Sequence, residues 1–223
     1  MIRSAALPAA PVAARAAQEK QVGHVTGPTV KAPWILARCA QGAIAVAAVA
    51  DVFRATAVRA RAVHPTAANQ HTSGTTSMVF VYLTTVTVVL FLVWFTRSRR
   101  NAQVISGNAG LASGAWPVVS WFVPFVNPVL PRRFVLDILR ASAGGRTGRD
   151  EMLVNVWWGV WVAHALLGTV GQMKAPTSLP LLVLEEVLMV AAGILVIQVI
   201  RRVTTLQAAA HPVPPAPVPL GHS

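Results

Sequence analysis

Three groups of side chains in this sequence have the types and spacing to do chemistry. The first is Glu185 and Glu186, adjacent carboxylates near the start of an otherwise apolar run. Ionisable groups inside a membrane are costly and often serve as proton or ion sites. These two stand within two turns of the end of the run, where the cost falls sharply, and pairing with Lys174 or Arg54 is the stronger reading. The second is His164, central in a run dense in tryptophan. Histidine can relay protons or bind metal, yet a lone histidine among tryptophans is more often packed and hydrogen-bonded. The third is Asp137 beside Arg132, Arg133 and Arg140. Arginines there can hold the phosphate of a lipid or polyprenyl carrier while Asp137 acts as a base. The competing reading is an amphipathic interfacial helix, with Phe134, Val135, Ile138 and Leu139 down and the charges up on anionic lipid. It is favoured because no second acid or nucleophile accompanies Asp137. No His-Glu-x-x-His, Cys/His cluster or phosphate loop occurs, so neither a catalytic set, a metal nor a cofactor is expected.

The stretch that must position the third group is Trp116 to Arg140, WPVVSWFVPFVNPVLPRRFVLDILR. It is apolar, yet it holds Pro117, Pro124, Pro128 and Pro131, each of which removes an amide donor and clashes with the preceding helical turn. Backbone groups left unsatisfied in hydrocarbon cost several kcal/mol each, so this cannot be a lipid-exposed span. Its apolar part, Trp116 to Leu130, would cover about 22 Å as an ideal helix, against a core roughly 30 Å thick. The expectation is a broken segment, interfacial or re-entrant. Ser120 and Asn127 satisfy backbone groups freed by the prolines. Trp121, Phe122 and Asn127, with Arg132, Arg133 and Arg140, are the candidate lipid or partner contacts. A polar re-entrant lining in contact with a transported substrate is the weaker idea, as no inverted repeat is seen.

The rest of the chain supplies four membrane spans. Of 223 residues, 54% are hydrophobic and only 12% charged, about half the charge of a soluble domain. The spans run from Pro33 to about Ala57, Met78 to Phe95, Met152 to Val170 and Leu179 to Ile200. In the first, Ala43, Ala47 and Ala50 form a small-residue face that lets another helix approach, and Asp51 can pair with Arg54. Arg59 to Ser77 is polar and reads as a loop, Ser106 to Gly114 as a linker, and Gly144 to Arg149 as a flexible basic stretch. A short turn, Gly171 to Ser178, forces the last two spans into an antiparallel hairpin. Residues 1–32, rich in Ala and Pro, and the Pro-rich tail 208–223 are expected to be disordered. They flank one domain, 33–207. No apolar core follows the early charge, so a cleaved signal peptide is not expected. Cys39 is the only cysteine, which rules out an intramolecular disulfide.

The formal net charge is +12. The arginines cluster beside apolar spans, which points to anionic lipid headgroups rather than nucleic acid as partner. Eight arginines lie between Arg97 and Arg149. If the broken segment stays on one side, all eight are cytoplasmic, together with Arg201, Arg202 and the N-terminal cations. If it spans, five of them move outside, against the positive-inside rule. The reading is therefore a multi-pass cell-membrane protein with both termini cytoplasmic, a non-enzymatic scaffold, partner-binding or membrane-sensing protein. Membrane-protein partners or a second copy are natural companions. The alternative is a membrane enzyme or small transporter acting on an anionic or phosphorylated lipid.

Four motifs occur in one order: Trp94, Phe95, Arg97, Arg99, Arg100, Asn101 and Ala102; Trp116, Trp121, Phe122, Pro124, Asn127 and Pro131; Asn155, Trp157, Trp158 and Trp161; and Arg201, Arg202, Thr204 and Gln207. On these residues the chain resembles an actinobacterial family of multipass membrane proteins catalogued as a domain of unknown function (number 4328). The resemblance covers about residues 33–207. Pro128 follows Asn127 where the family pattern has a bulky apolar residue. The resemblance implies the architecture and brings no known activity with it.

Overall fold

The computed structural model describes residues 31–107, 114–123, 129–145, 147–174 and 178–210, the side chains of 172–174 excepted. The termini expected to be disordered lie outside these residues, apart from their inner edges, and so do Pro124, Asn127 and Pro128. Among the described residues the chain is helical, with no strand. The helices are α1 (Trp34–Val63), α2 (Ala67–Ser106), α3 (Trp116–Val119), α4 (Leu130–Ala143), α5 (Gly148–Lys174) and α6 (Leu179–Ala209). Four of them, α1, α2, α5 and α6, are long and apolar enough to cross a membrane.

Two antiparallel hairpins, α1/α2 and α5/α6, are joined through α1 against α6, so the long helices run in the order α2, α1, α6, α5. Small residues make the close approaches. Ala47 is buried, and the Ala43 carbonyl accepts from Thr87 Oγ1 at 3.1 Å. A methyl group on Gly193 would touch Ile44 and Ala48 across the α1–α6 contact. Gln41 donates from Nε2 to the Ile197 carbonyl at 3.2 Å, which adds a polar tie between the same two helices.

The polar stretch Arg59 to Ser77 is not a loop. It continues α1 to Val63 and opens α2 at Ala67, with only His64 to Thr66 between them. Polarity suggests a loop, but Arg59 to Ala62 and Ala67 to Ala68 favour helix, and the weaker formers from Asn69 to Ser77 are carried by the neighbouring span, which supplies the costly nucleus. At 40 residues α2 is about 60 Å long, twice the thickness of the hydrocarbon core, so polar turns project beyond it. The break is stabilised locally: Thr66 Oγ1 accepts from the Asn69 amide at 3.2 Å, and Asn69 Nδ2 donates to the His64 carbonyl at 2.7 Å. Similarly, Gly148 and Arg149 belong to the first turn of α5 rather than to a flexible stretch.

The proline-broken segment is short helix and turn. Pro117 and Pro131 lie in the first turns of α3 and α4, where a missing amide costs nothing. Ser120, fully buried, donates to the Pro117 carbonyl at 3.0 Å, the structural role expected of it. One expectation is overturned. The apolar side of α4 does not face lipid: Val135, Ile138 and Leu139 are at most 1% exposed, and they join the core that includes Phe95, Ala102 and Val199. A one-sided helix specifies an apolar partner and not its identity. Here α4 packs on α2, α5 and α6 and closes one end of the bundle.

Leu139→Ala should therefore cost about 2–5 kcal/mol, the range for a large-to-small change in a packed core. Ile35→Ala, at a side chain 80% exposed, should change stability by less than about 0.5 kcal/mol. Thermal midpoints in detergent will separate the two; equal midpoints would mean that α4 is not packed on the bundle.

Candidate functional site

The end of the bundle closed by α4 holds a buried polar network. Gln207, 1% exposed, donates from Nε2 to the Ser98 carbonyl at 2.7 Å and to Ser142 Oγ at 3.2 Å. Its Oε1 accepts from Asn101 Nδ2 at 3.2 Å. Asn101 also donates to the Lys31 carbonyl at 3.1 Å, which ties down the approach to α1. One turn deeper, Trp94 Nε1 donates to Thr204 Oγ1 at 3.2 Å, while Thr204 donates to the Ile200 carbonyl. The Trp94–Ala102 motif and the Thr204/Gln207 motif are thus two halves of one clamp, and α4 adds Ser142. Sequence reading singled out neither Ser98 nor Ser142, because a lone serine in a polar or small-residue stretch carries no periodic signal.

Several charges around this clamp pair with one another. Arg140 bonds both carboxylate oxygens of Glu151, at 2.9 and 2.8 Å. Arg202 does the same to Asp150, at 2.8 and 3.0 Å, and Arg132 Nε donates to Asn155 Oδ1 at 2.9 Å. Arg99, 7% exposed, lies over the Phe134 ring. Asp137 is half-buried, and burial pushes its carboxyl up from the usual range against the opposing pull of Arg140, Arg99 and Arg133. Arg38, Arg97, Arg100, Arg133, Arg149 and Arg201 are exposed. Among the described residues this end carries eleven cations (those six with Lys31, Arg99, Arg132, Arg140 and Arg202) against Asp137, Asp150 and Glu151. The other end carries Arg54, Arg59 and Arg61 against Asp51, Glu185 and Glu186.

Trp121 places the broken segment between the hairpins. Its ring meets Phe91 and Phe95 of α2 edge-on, with centroids 5.1 and 5.9 Å away, and Trp158 of α5 at 5.9 Å. Trp158 in turn stacks on Trp161 at 4.9 Å. Phe122, beside it, is 64% exposed. Below these rings is a largely apolar cavity of about 300 Å³, bounded by Ala47, Thr84, Phe91, Trp157, Met189 and Gly193 among others. Two polar atoms of its lining residues, Thr84 Oγ1 and Trp121 Nε1, are buried and have no hydrogen-bond partner among the described residues. The neighbouring threonines Thr85 and Thr87 bond back to the carbonyls of Val81 and Leu83. Nothing in the sequence signalled this cavity.

At the opposite end Glu185 and Glu186 line one small pocket together with Arg54 and Arg59. Arg54 bonds Asp51 at 2.6 Å, the i,i+3 pair expected from the sequence, and also covers the Phe80 ring. Glu185 lies against Gly168, where an added methyl would come within 2.6 Å of its Oε1. His164 Nδ1 is 3.1 Å from the Glu185 carbonyl, so the histidine is packed and hydrogen-bonded. Glu186 Oε2 and Arg59 Nε are buried without a partner among the described residues, beside a cavity of about 30 Å³. The side chain of Lys174, the other partner considered for these acids, lies outside the described residues. Among the described residues no three His, Cys, Asp or Glu side chains converge as metal ligands.

The fold and this site define a class: an all-helical protein with four membrane-length apolar helices, closed at one end by a short cross helix and a buried amide network. Residues 58–205 match the family described as Domain of unknown function (DUF4328), and the chain belongs to that family. The match begins within α1, so most of the first long helix precedes it. Neither curated proteins nor solved structures give a match.

Two outcomes follow. Gln207→Leu removes the bonds to Ser98, Ser142 and Asn101, at about 0.5–1.5 kcal/mol for each; a midpoint equal to wild type would remove the clamp. Asp137 gives a pH dependence. A carboxyl whose folded pKa is raised binds its proton more tightly in the folded state, so stability declines as pH rises from the ordinary carboxyl range through the raised value. The wild-type midpoint should fall relative to Asp137→Asn across that window. Parallel curves would mean that burial does not act on Asp137.

Proposed function

We propose that this chain is a multi-pass protein of the cell membrane, with both termini in the cytoplasm, and that it works without catalysis as a scaffold or sensor whose basic end rests on anionic lipid. The observation that carries the reading is the division of charge at the closed end. Most buried polar side chains there bond one another and hold α2, α4 and α6 together. Arg140 and Arg202 are neutralised by Glu151 and Asp150. Six other arginines remain at the surface, on the end where the positive-inside rule puts cytoplasmic charge. Each such arginine near an anionic leaflet contributes about 1 kcal/mol. Arg133 belongs both to these six and to the lipid contacts expected from the sequence, while Arg132 and Arg140 are also engaged by Asn155 and Glu151.

A second reading rests on Asp137. A half-buried carboxyl with a raised pKa, flanked by Arg99, Arg133 and Arg140, is the kind of group that can act as a base on a phosphorylated lipid. One genetic comparison separates the two. The scaffold reading expects a deletion strain with no lipid precursor accumulating. An accumulated precursor cleared by wild type but not by Asp137→Ala would establish the enzyme instead.

The orientation has its own test. In a Cys39→Ser background, an impermeant thiol reagent added to intact cells should label Thr72→Cys and miss Gly145→Cys. Labelling of Gly145→Cys from outside would overturn the arrangement.

A further inference from the structure

On the outer face of the α1/α2 hairpin a shallow groove of about 410 Å³ is lined by Leu36, Val89, Leu92, Val93, Thr96, Arg97 and Arg100. The two arginines are three residues apart on one helix, so their guanidinium groups lie side by side at the basic end of the groove. Both are exposed, and neither has an ion-pair partner among the described residues, in contrast to Arg140 and Arg202. Thr96 directs its hydroxyl back to the Leu92 carbonyl at 2.8 Å, which leaves the groove wall apolar below the arginines. From Val89 to Arg100 the stripe extends about 16 Å at 1.5 Å per residue. That is close to half of a hydrocarbon core of roughly 30 Å, the depth of a single leaflet.

From this we infer a binding site for one anionic phospholipid of the leaflet at the basic end, its phosphate on Arg97 and Arg100 and an acyl chain along Val89, Leu92 and Val93 opposite Leu36. Arginine suits the phosphate because its planar fork donates two parallel hydrogen bonds to it. The valine and leucine side chains supply a smooth apolar wall of matching length. The site rests on the orientation proposed above and adds a defined place to a general preference for anionic lipid. It is also separate from the contacts expected at Trp121, Phe122 and Arg132.

Native mass spectrometry of the purified full chain, titrated with phosphatidylglycerol or with phosphatidylcholine, tests it. Wild type should retain one phosphatidylglycerol in preference to phosphatidylcholine. Arg97→Gln with Arg100→Gln should lower that retention at least tenfold. Val93→Trp, which fills the groove and leaves the charge intact, should lower it comparably while the thermal midpoint stays close to wild type. Retention unchanged in either variant would overturn the site. A loss seen only with Arg133→Gln and Arg201→Gln would overturn it too, while leaving the broader basic-face reading standing. Conversion of a dimer to a monomer by Val93→Trp, with lipid retention unchanged, would assign the groove to a second copy of the chain instead.

Discussion

The closed end of this molecule depends on one primary amide. Gln207 is fully buried, and each side of its amide is used: the nitrogen by Ser98 and Ser142, the oxygen by Asn101. For a buried group a lost bond leaves a desolvated donor or acceptor behind. That cost fixes the rotation of α6 relative to α2 and the height at which α4 crosses them. Close apolar packing sets the approach of these helices, and the directional bonds add to it. With α4 in place, Asp150 and Glu151 at the start of α5 meet Arg202 and Arg140, and the last long helix is set against the rest.

The prolines obey the same constraint. A spanning helix through Trp116 to Arg140 would leave carbonyls unbonded in hydrocarbon. The chain instead uses Pro117 and Pro131 to start short helices. Trp121 then brings a broad apolar ring to both hairpins at once, touching Phe91, Phe95 and Trp158. Its indole nitrogen and the Thr84 hydroxyl are left unbonded among the described residues, at the cavity these rings border.

Much of the frame was legible because it depends on local properties. Apolar run length gave the four long helices, and four prolines within 25 residues gave the break. The small-residue face of α1 and the Asp51–Arg54 pair followed from helical spacing. What escaped was whatever depends on which face meets which neighbour. The amphipathic pattern of α4 is the same whether lipid or protein covers Val135 and Leu139, and only tertiary packing decides it. The polar turns at the α1–α2 junction read as a loop because hydropathy reports membrane depth and not helix length. The clamp was invisible because Ser98, Ser142 and Gln207 lie up to 109 positions apart.

The account divides polar groups into those that hold the fold and those that face the membrane, and the division has a functional consequence. Buried bonds around Gln207 are shielded from salt, whereas surface arginines are screened over roughly 8 Å at physiological ionic strength. The direct measurement is the ratio of anionic to neutral lipid at the protein boundary, from electron spin resonance of spin-labelled lipids in reconstituted vesicles across a range of salt. The account predicts enrichment of anionic lipid at low salt that declines steadily as salt rises, with the fold unchanged throughout. A boundary with no preference at any salt concentration would contradict it.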